Sequence, residues 1–196
     1  MPKKTSKQPP SSTPKSHLQQ KQQQPNWPPL RPLIPSTSLT LDPLVPDQIY
    51  LIRNFFPSTL CKTYTSFLAS LPLTTTPGKP KKGDAVRVND RFQIQDEGFA
   101  EDDDSNAITF SSPGRPPRAA RTTWTLLIYL TSCEGGETVF YPEATRFNRN
   151  PEPVSVAPVP GMALLHRHGD RCMLHEGKEV REGEKWVLRS DLVVAR

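Results

Sequence analysis

Apolar residues follow two different periods in the first half of the ordered part of the chain. Ile49-Tyr50-Leu51-Ile52 is a short apolar run typical of a buried strand. From Ser58 onward, apolar residues recur at helical spacing, which predicts a helix that packs one face on a core. These helical positions are Leu60, Tyr64, Phe67, Leu68 and Leu71. We therefore expect order to begin near Gln48, with a strand followed by a helix.

The second half of the chain has the pattern of a series of strands. Short runs rich in β-branched and aromatic residues are separated by glycines and polar turns, at about ten-residue spacing. These runs are 123–130, 138–141, 154–156, 162–166 and 185–194. Such a series is typical of a mainly β sandwich or double-sheet jelly roll, and it argues against βαβ units.

Residues 1–46 have a different composition from the rest of the chain. They hold eleven of the 23 prolines, no glycine, and a glutamine-rich stretch at 19–24. A segment of this kind cannot bury enough apolar surface to offset the entropy of ordering. We therefore predict that 1–46 is a disordered tail rich in Pro, Gln and Lys, and that 47–196 form one domain.

The net charge of +5 belongs to this predicted tail. Six basic residues stand there against the single Asp42, which gives 6 − 1 = +5, so the remaining 19 basic and 19 acidic residues cancel. The folded part therefore has no charge excess that would favour nucleic acid as a partner. No apolar run is long enough for a membrane span, so no membrane partner is expected either.

The cysteines and the N-terminus bear on the compartment. Cys61, Cys133 and Cys172 are odd in number and far apart, which argues against a disulfide scaffold and favours a reducing compartment. The N-terminal lysines are not followed by the apolar region of a secretory signal. We expect a cytoplasmic or nuclear protein.

Candidate chemistry concentrates near the end of the chain. His166, His168 and His175 lie within ten positions of one another. A lone histidine in a strand is commonly a structural residue, but three so close together point equally to a metal site.

The sequence motifs around these histidines are a more specific indication of function. The stretches 161–166, 174–180 and 183–191 follow in order, after the strand 124–130 and the turn Gly135-Gly136-Glu137-Thr138. Together they resemble the 2-oxoglutarate/Fe(II)-dependent dioxygenase superfamily, in its prolyl 4-hydroxylase-like branch. The resemblance is good over 121–196 and weaker over 45–100.

This resemblance implies a double-stranded β-helix, or distorted jelly roll, that binds Fe(II) through two histidines and one carboxylate. It also implies 2-oxoglutarate as co-substrate, O2 as oxidant and ascorbate as supporting reductant. The reaction would be hydroxylation of a protein or peptide, with peptidyl proline as the favoured residue and release of succinate and CO2. Endoplasmic reticulum would be the compartment by analogy with collagen-type members only.

Two residue roles transfer directly from the family pattern. His175 stands at the position of the distal histidine ligand, before Glu-Gly. Lys185, ten residues later, stands at the position of the cation that pairs with the far carboxylate of 2-oxoglutarate.

The early His-x-Asp motif of the family transfers only in part. Asp103 matches the carboxylate ligand, but Glu101 occupies the histidine position. The strand expected before this motif is also absent, so the early metal-binding region around 95–106 is incomplete. A splice form, an error in a gene model and real divergence would all produce this pattern.

Three functions remain open from the sequence. The leading hypothesis is an oxidoreductase of the Fe(II)/2-oxoglutarate hydroxylase type. The second is a catalytically impaired member of the same fold that acts as a binding protein. The third is an unrelated jelly-roll binding module, which the order of Gly135-Gly136-Glu137-Thr138, His175 and Lys185 argues against.

Overall fold

The computed structural model describes residues 25–31, 34–75, 89–92, 101–102, 108–110 and 118–195. It contains one α-helix, α1 (Ser58–Ala69), within these ranges. The strands described are β1 (Asp42–Val45), β2 (Ile49–Ile52), β3 (Thr74–Thr75), β4 (Asp90–Arg91), β5 (Glu101–Asp102), β6 (Ile108–Phe110), β7 (Arg118–Tyr129), β8 (Cys133–Gly135), β9 (Thr138–Tyr141), β10 (Val154–Val156), β11 (Ala163–Arg167), β12 (Leu174–Gly177), β13 (Val180–Gly183) and β14 (Val187–Ala195). The prediction of a mainly β fold with a flanking N-terminal helix is confirmed.

The larger sheet is antiparallel and is built around β7. Its strands run in the order β1-β2-β11-β7-β6-β5, and β14 pairs with β7 as well. Strand β7 pairs with β11 from Trp124 to Ile128 and with β14 along nearly its whole length. Strand β11 is thereby held on both sides, by β2 and by β7.

Helix α1 covers one face of this sheet. Its buried face consists of Leu60, Cys61, Tyr64 and Leu68, as the helical spacing predicts. These residues pack with Ile128, Leu130 and Ala163 of the sheet. The helix begins at Ser58, and Pro57 occupies the N-cap position before it.

A smaller antiparallel sheet lies against the other face. Its order is β10-β9-β12. A second core cluster joins the two sheets, because Phe140 and Val156 of the smaller sheet pack with Tyr129 and Leu164 of the larger one. Two antiparallel sheets enclosing one core are the arrangement of a jelly roll.

The ordered part of the chain begins earlier than the sequence predicts. Strand β1 lies inside the segment 1–46 that we expected to be disordered, and it pairs with β2. Because β1 is the edge strand of the sheet, Pro43 costs no ladder hydrogen bond toward a further strand. The domain boundary near residue 47 is therefore wrong for 42–45, whereas 1–24 lie outside the described residues.

Residues of the predicted tail also contact the helix. The Trp27 ring lies 5.2 Å from the Phe67 ring, centroid to centroid. The hydroxyl of Tyr64 donates a hydrogen bond of 2.8 Å to the carbonyl of Pro28. An aromatic ring and a backbone acceptor thus fasten part of a Pro-rich segment to the fold, which overall composition could not indicate.

Among the described residues, no helix has the length and apolarity needed to span a membrane.

Candidate metal and co-substrate site

His175 lies on β12, in the smaller sheet, opposite Phe140 of β9. Its ring centroid is 5.4 Å from that of Phe140. Its Nδ1 lies 2.9 Å from the carbonyl oxygen of Met173, which can only accept a hydrogen bond, so Nδ1 carries the proton. The lone pair of His175 therefore resides on Nε2. A histidine oriented by a carbonyl in this way is the usual form of a metal ligand.

His166 faces His175 from the other sheet. It lies on β11, is only 4% exposed, and its ring centroid is 4.8 Å from that of His175. Its Nδ1 lies 2.9 Å from the carbonyl oxygen of Arg167, so its Nε2 also keeps a lone pair. Burial lowers the pKa of His166 to about 4, and the nearby His175 contributes to this shift. The imidazole is therefore neutral at physiological pH, the form that binds a metal.

Cys172 completes a group of three donors. One ligand atom from each of His166, Cys172 and His175 lies within 4.8 Å of the other two. The Sγ atom of Cys172 is 3.6 Å from His175 Nδ1. Burial raises the pKa of the Cys172 thiol, and the guanidinium of Arg189 opposes this rise.

His168 is held away from this group. Its Nδ1 lies 3.1 Å from the hydroxyl of Thr125, and that hydroxyl donates a hydrogen bond of 2.7 Å to the carboxylate of Asp191. The single hydroxyl proton of Thr125 is thus used, so Thr125 accepts from His168. These contacts connect His168 to Thr125 of β7 and, through Thr125, to Asp191 of β14, so His168 has a structural role.

Lys185 projects between the two sheets. Its Nζ lies 5.5 Å from the centre of the Tyr129 ring. A Cβ atom placed on Gly136 would meet the Lys185 side chain at 3.3 Å, so this glycine makes room for the stem. Burial lowers the pKa of Lys185, while Cys133 and Glu137 oppose that shift. Within the described ranges, the ammonium has no hydrogen-bond acceptor and no ion-pair partner.

Lys185 and His175 face the same space. A Cβ atom placed on Gly177 would lie 4.0 Å from Lys185 Nζ. Gly177 and His175 are two residues apart on β12, so they share one face, about 6.6 Å apart along the strand. On the neighbouring strand, the Thr138 hydroxyl lies 2.8 Å from the hydroxyl of the buried Tyr129. The space therefore has imidazoles at one end and a cation with two hydroxyl groups at the other.

The backbone of Glu101 lies on β5, at the edge of the larger sheet, where it pairs with Thr109 of β6. Nothing in the described residues tests Glu101 as a ligand, so its role stays a prediction. Asp103 lies outside the described residues, so its role stays a prediction.

The described residues fit only half of an Fe(II) site of the expected kind. Two imidazoles whose Nδ1 atoms lie against backbone carbonyl oxygens, which leaves Nε2 to face a metal, match the histidine pair of such a site. The third donor beside them is the thiol of Cys172 rather than a carboxylate. Sequence reasoning identified His175 and the histidine group, but it missed Cys172. The signal available was the Cys-x-x-His spacing together with the alternation on β11 that turns His166 inward.

Comparisons with known proteins find resemblance in structure but not in sequence. No family model and no curated protein matches the chain. Among solved structures, the chain is similar to the viral collagen prolyl hydroxylase vCPH from Paramecium bursaria Chlorella virus-1, in its 2OG complex. The sequences are 17% identical, the match covers 77% of this chain and 97% of the viral chain, and the TM-score is 0.41.

Proposed function

We propose that this protein is a 2-oxoglutarate-dependent dioxygenase of the prolyl 4-hydroxylase-like type, acting on a protein or peptide substrate with peptidyl proline as the favoured residue. The observation that carries the proposal is the half-buried ammonium of Lys185, which has no ion-pair partner among the residues that the structure describes and lies beside Gly177, two residues from His175 on β12. The order of motifs along the sequence supports the same assignment.

A half-buried lysine without a counterion is costly unless it binds an anion. The separation between His175 and the Lys185 ammonium suits a five-carbon dicarboxylate, with one end at the imidazoles and the other at the cation. The Lys185 ammonium lies 5.5 Å from the centre of the Tyr129 ring. The hydroxyls of Tyr129 and Thr138 hydrogen-bond to each other, so one of the two keeps a proton that can be donated to the far carboxylate.

The residues of the chain have distinct roles in this proposal. Lys185 binds and orients the co-substrate, and the buried ring of Phe140 packs against both His166 and His175 and so holds the two imidazoles in place. Fe(II), when bound, would supply the coupling of co-substrate decarboxylation to C–H hydroxylation. The described donors do not complete its expected ligand set.

Calorimetric titration with 2-oxoglutarate, under anaerobic conditions and with Mn²⁺ in place of Fe(II), tests the binding step. We expect Lys185→Ala to weaken binding by about 2–4 kcal/mol, because it removes the partner of a largely buried carboxylate. Lys185→Arg should recover part of the loss. The matched control is Lys178→Ala, since Lys178 is an exposed lysine that pairs with Glu176. Equal affinity in the wild type and Lys185→Ala would exclude Lys185 from the site.

Succinate release in the presence of Fe(II), ascorbate and proline-containing peptides tests turnover. We expect His175→Ala to abolish it and to leave the fold intact, because the His175 side chain is exposed and its removal leaves no core cavity. Succinate release at the wild-type rate in this variant would contradict the proposal.

A second candidate function is a catalytically impaired member of the same fold that acts as a binding protein. The observation in its favour is that, among the described residues, the third donor beside the two histidines is the thiol of Cys172, where a carboxylate is expected. Binding of 2-oxoglutarate that depends on Lys185, without succinate release on any peptide, would favour this second function.

A further inference from the structure

The group formed by His166, Cys172 and His175 has a donor set that differs from that of an Fe(II) dioxygenase. It combines two imidazoles with a thiol, and all three donor atoms lie within 4.8 Å of one another. Imidazole and thiolate together favour zinc-like cations, whereas Fe(II) dioxygenase sites use a carboxylate as the third ligand.

The fold holds these three donors by separate means. His166 is fixed by β11, which is paired on both edges, and by its hydrogen bond to the carbonyl of Arg167. His175 is fixed by β12 and by the carbonyl of Met173. Cys172 follows a short 3-10 turn, Gly169–Arg171, that joins the two strands. The ligands thus come from both sheets and from the connection between them.

The distances are close to those of a tetrahedral site. With Zn–S near 2.3 Å and Zn–N near 2.05 Å, tetrahedral angles place sulfur and nitrogen donors about 3.5 Å apart. The longest separation in the group, 4.8 Å, exceeds this value by about 1.3 Å, so binding requires the donors to move closer by that amount. The turn that carries Cys172 is exposed and can supply that movement, whereas His166 lies in the core.

We propose that His166, Cys172 and His175 form a three-ligand site for a zinc-like divalent cation, with the fourth position open to water or another ligand. Three protein ligands and one open position are the arrangement of catalytic rather than closed structural zinc sites. Lys185 takes no part in this cation site, whereas His166 and His175 also lie beside the space proposed for 2-oxoglutarate.

Titration of the metal-free full-length chain with Co²⁺, without oxygen and with a non-thiol reductant, tests the site. We expect one equivalent to bind, with a thiolate-to-cobalt charge-transfer band in the near ultraviolet and intense visible bands of tetrahedral Co²⁺. Addition of Zn²⁺ should abolish these bands by displacement and so give the zinc affinity by competition.

Cys172→Ser isolates the proposed sulfur ligand with little change of size. We expect it to remove the charge-transfer band and to weaken Co²⁺ binding by at least about 100-fold, since changes to ligand-orienting partners alone cost about 10–100-fold. His166→Gln should weaken binding and keep the band at saturating metal. The matched control is Cys133→Ser, because Cys133 is also half-buried but lies outside the group. Circular dichroism of each metal-free variant checks the fold.

Two results would overturn the proposal. One is the absence of Co²⁺ binding by the wild type, and the other is binding with the same spectrum in Cys172→Ser. Lys185→Ala separates the two proposals, since it should remove 2-oxoglutarate binding while leaving the cobalt spectrum unchanged.

Discussion

Replacing Lys185 by methionine should stabilise the fold and remove the co-substrate site together. An unpaired, partly buried polar group costs about 1–3 kcal/mol, and Lys185 is half-buried with no acceptor among the described residues. Its contact with the Tyr129 ring, 5.5 Å away, offsets about 0.5–1 kcal/mol of this cost. Methionine keeps the length of the stem and has no charge. We therefore expect a gain of about 1 kcal/mol in the free energy of unfolding, and a Tm higher by about 2–4 °C.

Chemical denaturation monitored by circular dichroism, at several pH values, measures this gain. Because burial lowers the pKa of Lys185, the unfolded chain binds more protons than the folded chain between the lowered pKa and the ordinary value of 10.5. Wild-type stability should therefore rise with pH across that interval, relative to Lys185→Met. The loss of stability above pH 10 due to Tyr129, whose pKa burial raises to about 12, is common to both proteins and cancels.

The matched control is Lys178→Met, at an exposed ion pair, which should change stability by less than about 0.5 kcal/mol. The same samples, titrated with 2-oxoglutarate, should show affinity about 30- to 900-fold lower for Lys185→Met, equivalent to about 2–4 kcal/mol. A destabilised Lys185→Met that still binds 2-oxoglutarate would refute the reasoning, because Lys185 would then serve packing rather than binding.

Three further changes test the fold around the site. Gly161→Ala should lower the free energy of unfolding by more than about 2 kcal/mol in urea titrations, because φ is +81° and the new Cβ would clash with the Phe56 carbonyl oxygen. The control is Gly169→Ala, where φ is +73° but no atom lies within 4 Å of the new Cβ, and it should cost about 1 kcal/mol. Thr138→Val should lower the free energy of unfolding by about 1–2 kcal/mol in the same assay, because it leaves the Tyr129 hydroxyl buried without its partner. Adding Tyr129→Phe to this variant should restore part of the lost stability. A further loss of stability in the double variant would contradict this reasoning. Deleting residues 1–24 should leave the Tm within about 2 °C of that of the full chain. Deleting residues 1–41 should lower the Tm by several degrees, because Trp27 and Pro28 contact the helix. Equal Tm values for the two truncated chains would show that these contacts contribute nothing.

The periodicity of apolar residues was sufficient to predict the elements that bury one side along their whole length. The apolar face of helix α1 and the short strands β2, β9 and β10 lie where the pattern places them, because one side of each element is buried along its length. Strand β7 begins at Arg118, before the apolar run that indicated it. Strand β1 could not be predicted, because its order comes from pairing with β2 rather than from its own composition.

The sequence predicted only those parts of the candidate site that follow from the number of residues between two positions. His175 and Lys185 stand ten residues apart, and the hairpin-rich end of the fold brings both to one space. The inward orientation of His166 depends on the register of β11, and the approach of Cys172 depends on the turn before β12. The Cys-x-x-His spacing was a signal for Cys172, whereas the orientation of His166 depends on register, since a shift of one residue would turn His166 to the other face.

His175 belongs to both proposed sites, and this sharing has a chemical consequence. A cation bound by His166, Cys172 and His175 occupies the imidazole that an Fe(II) site requires, so the two metals compete for one residue. Thiolate favours the zinc-like cation, whereas a carboxylate such as Asp103 would favour Fe(II). His175 and Gly177 lie on the same strand, and the Lys185 ammonium lies beside Gly177, so a metal held by His175 and this ammonium would face the same space. If both proposals hold, we expect the third donor to decide which metal the protein binds.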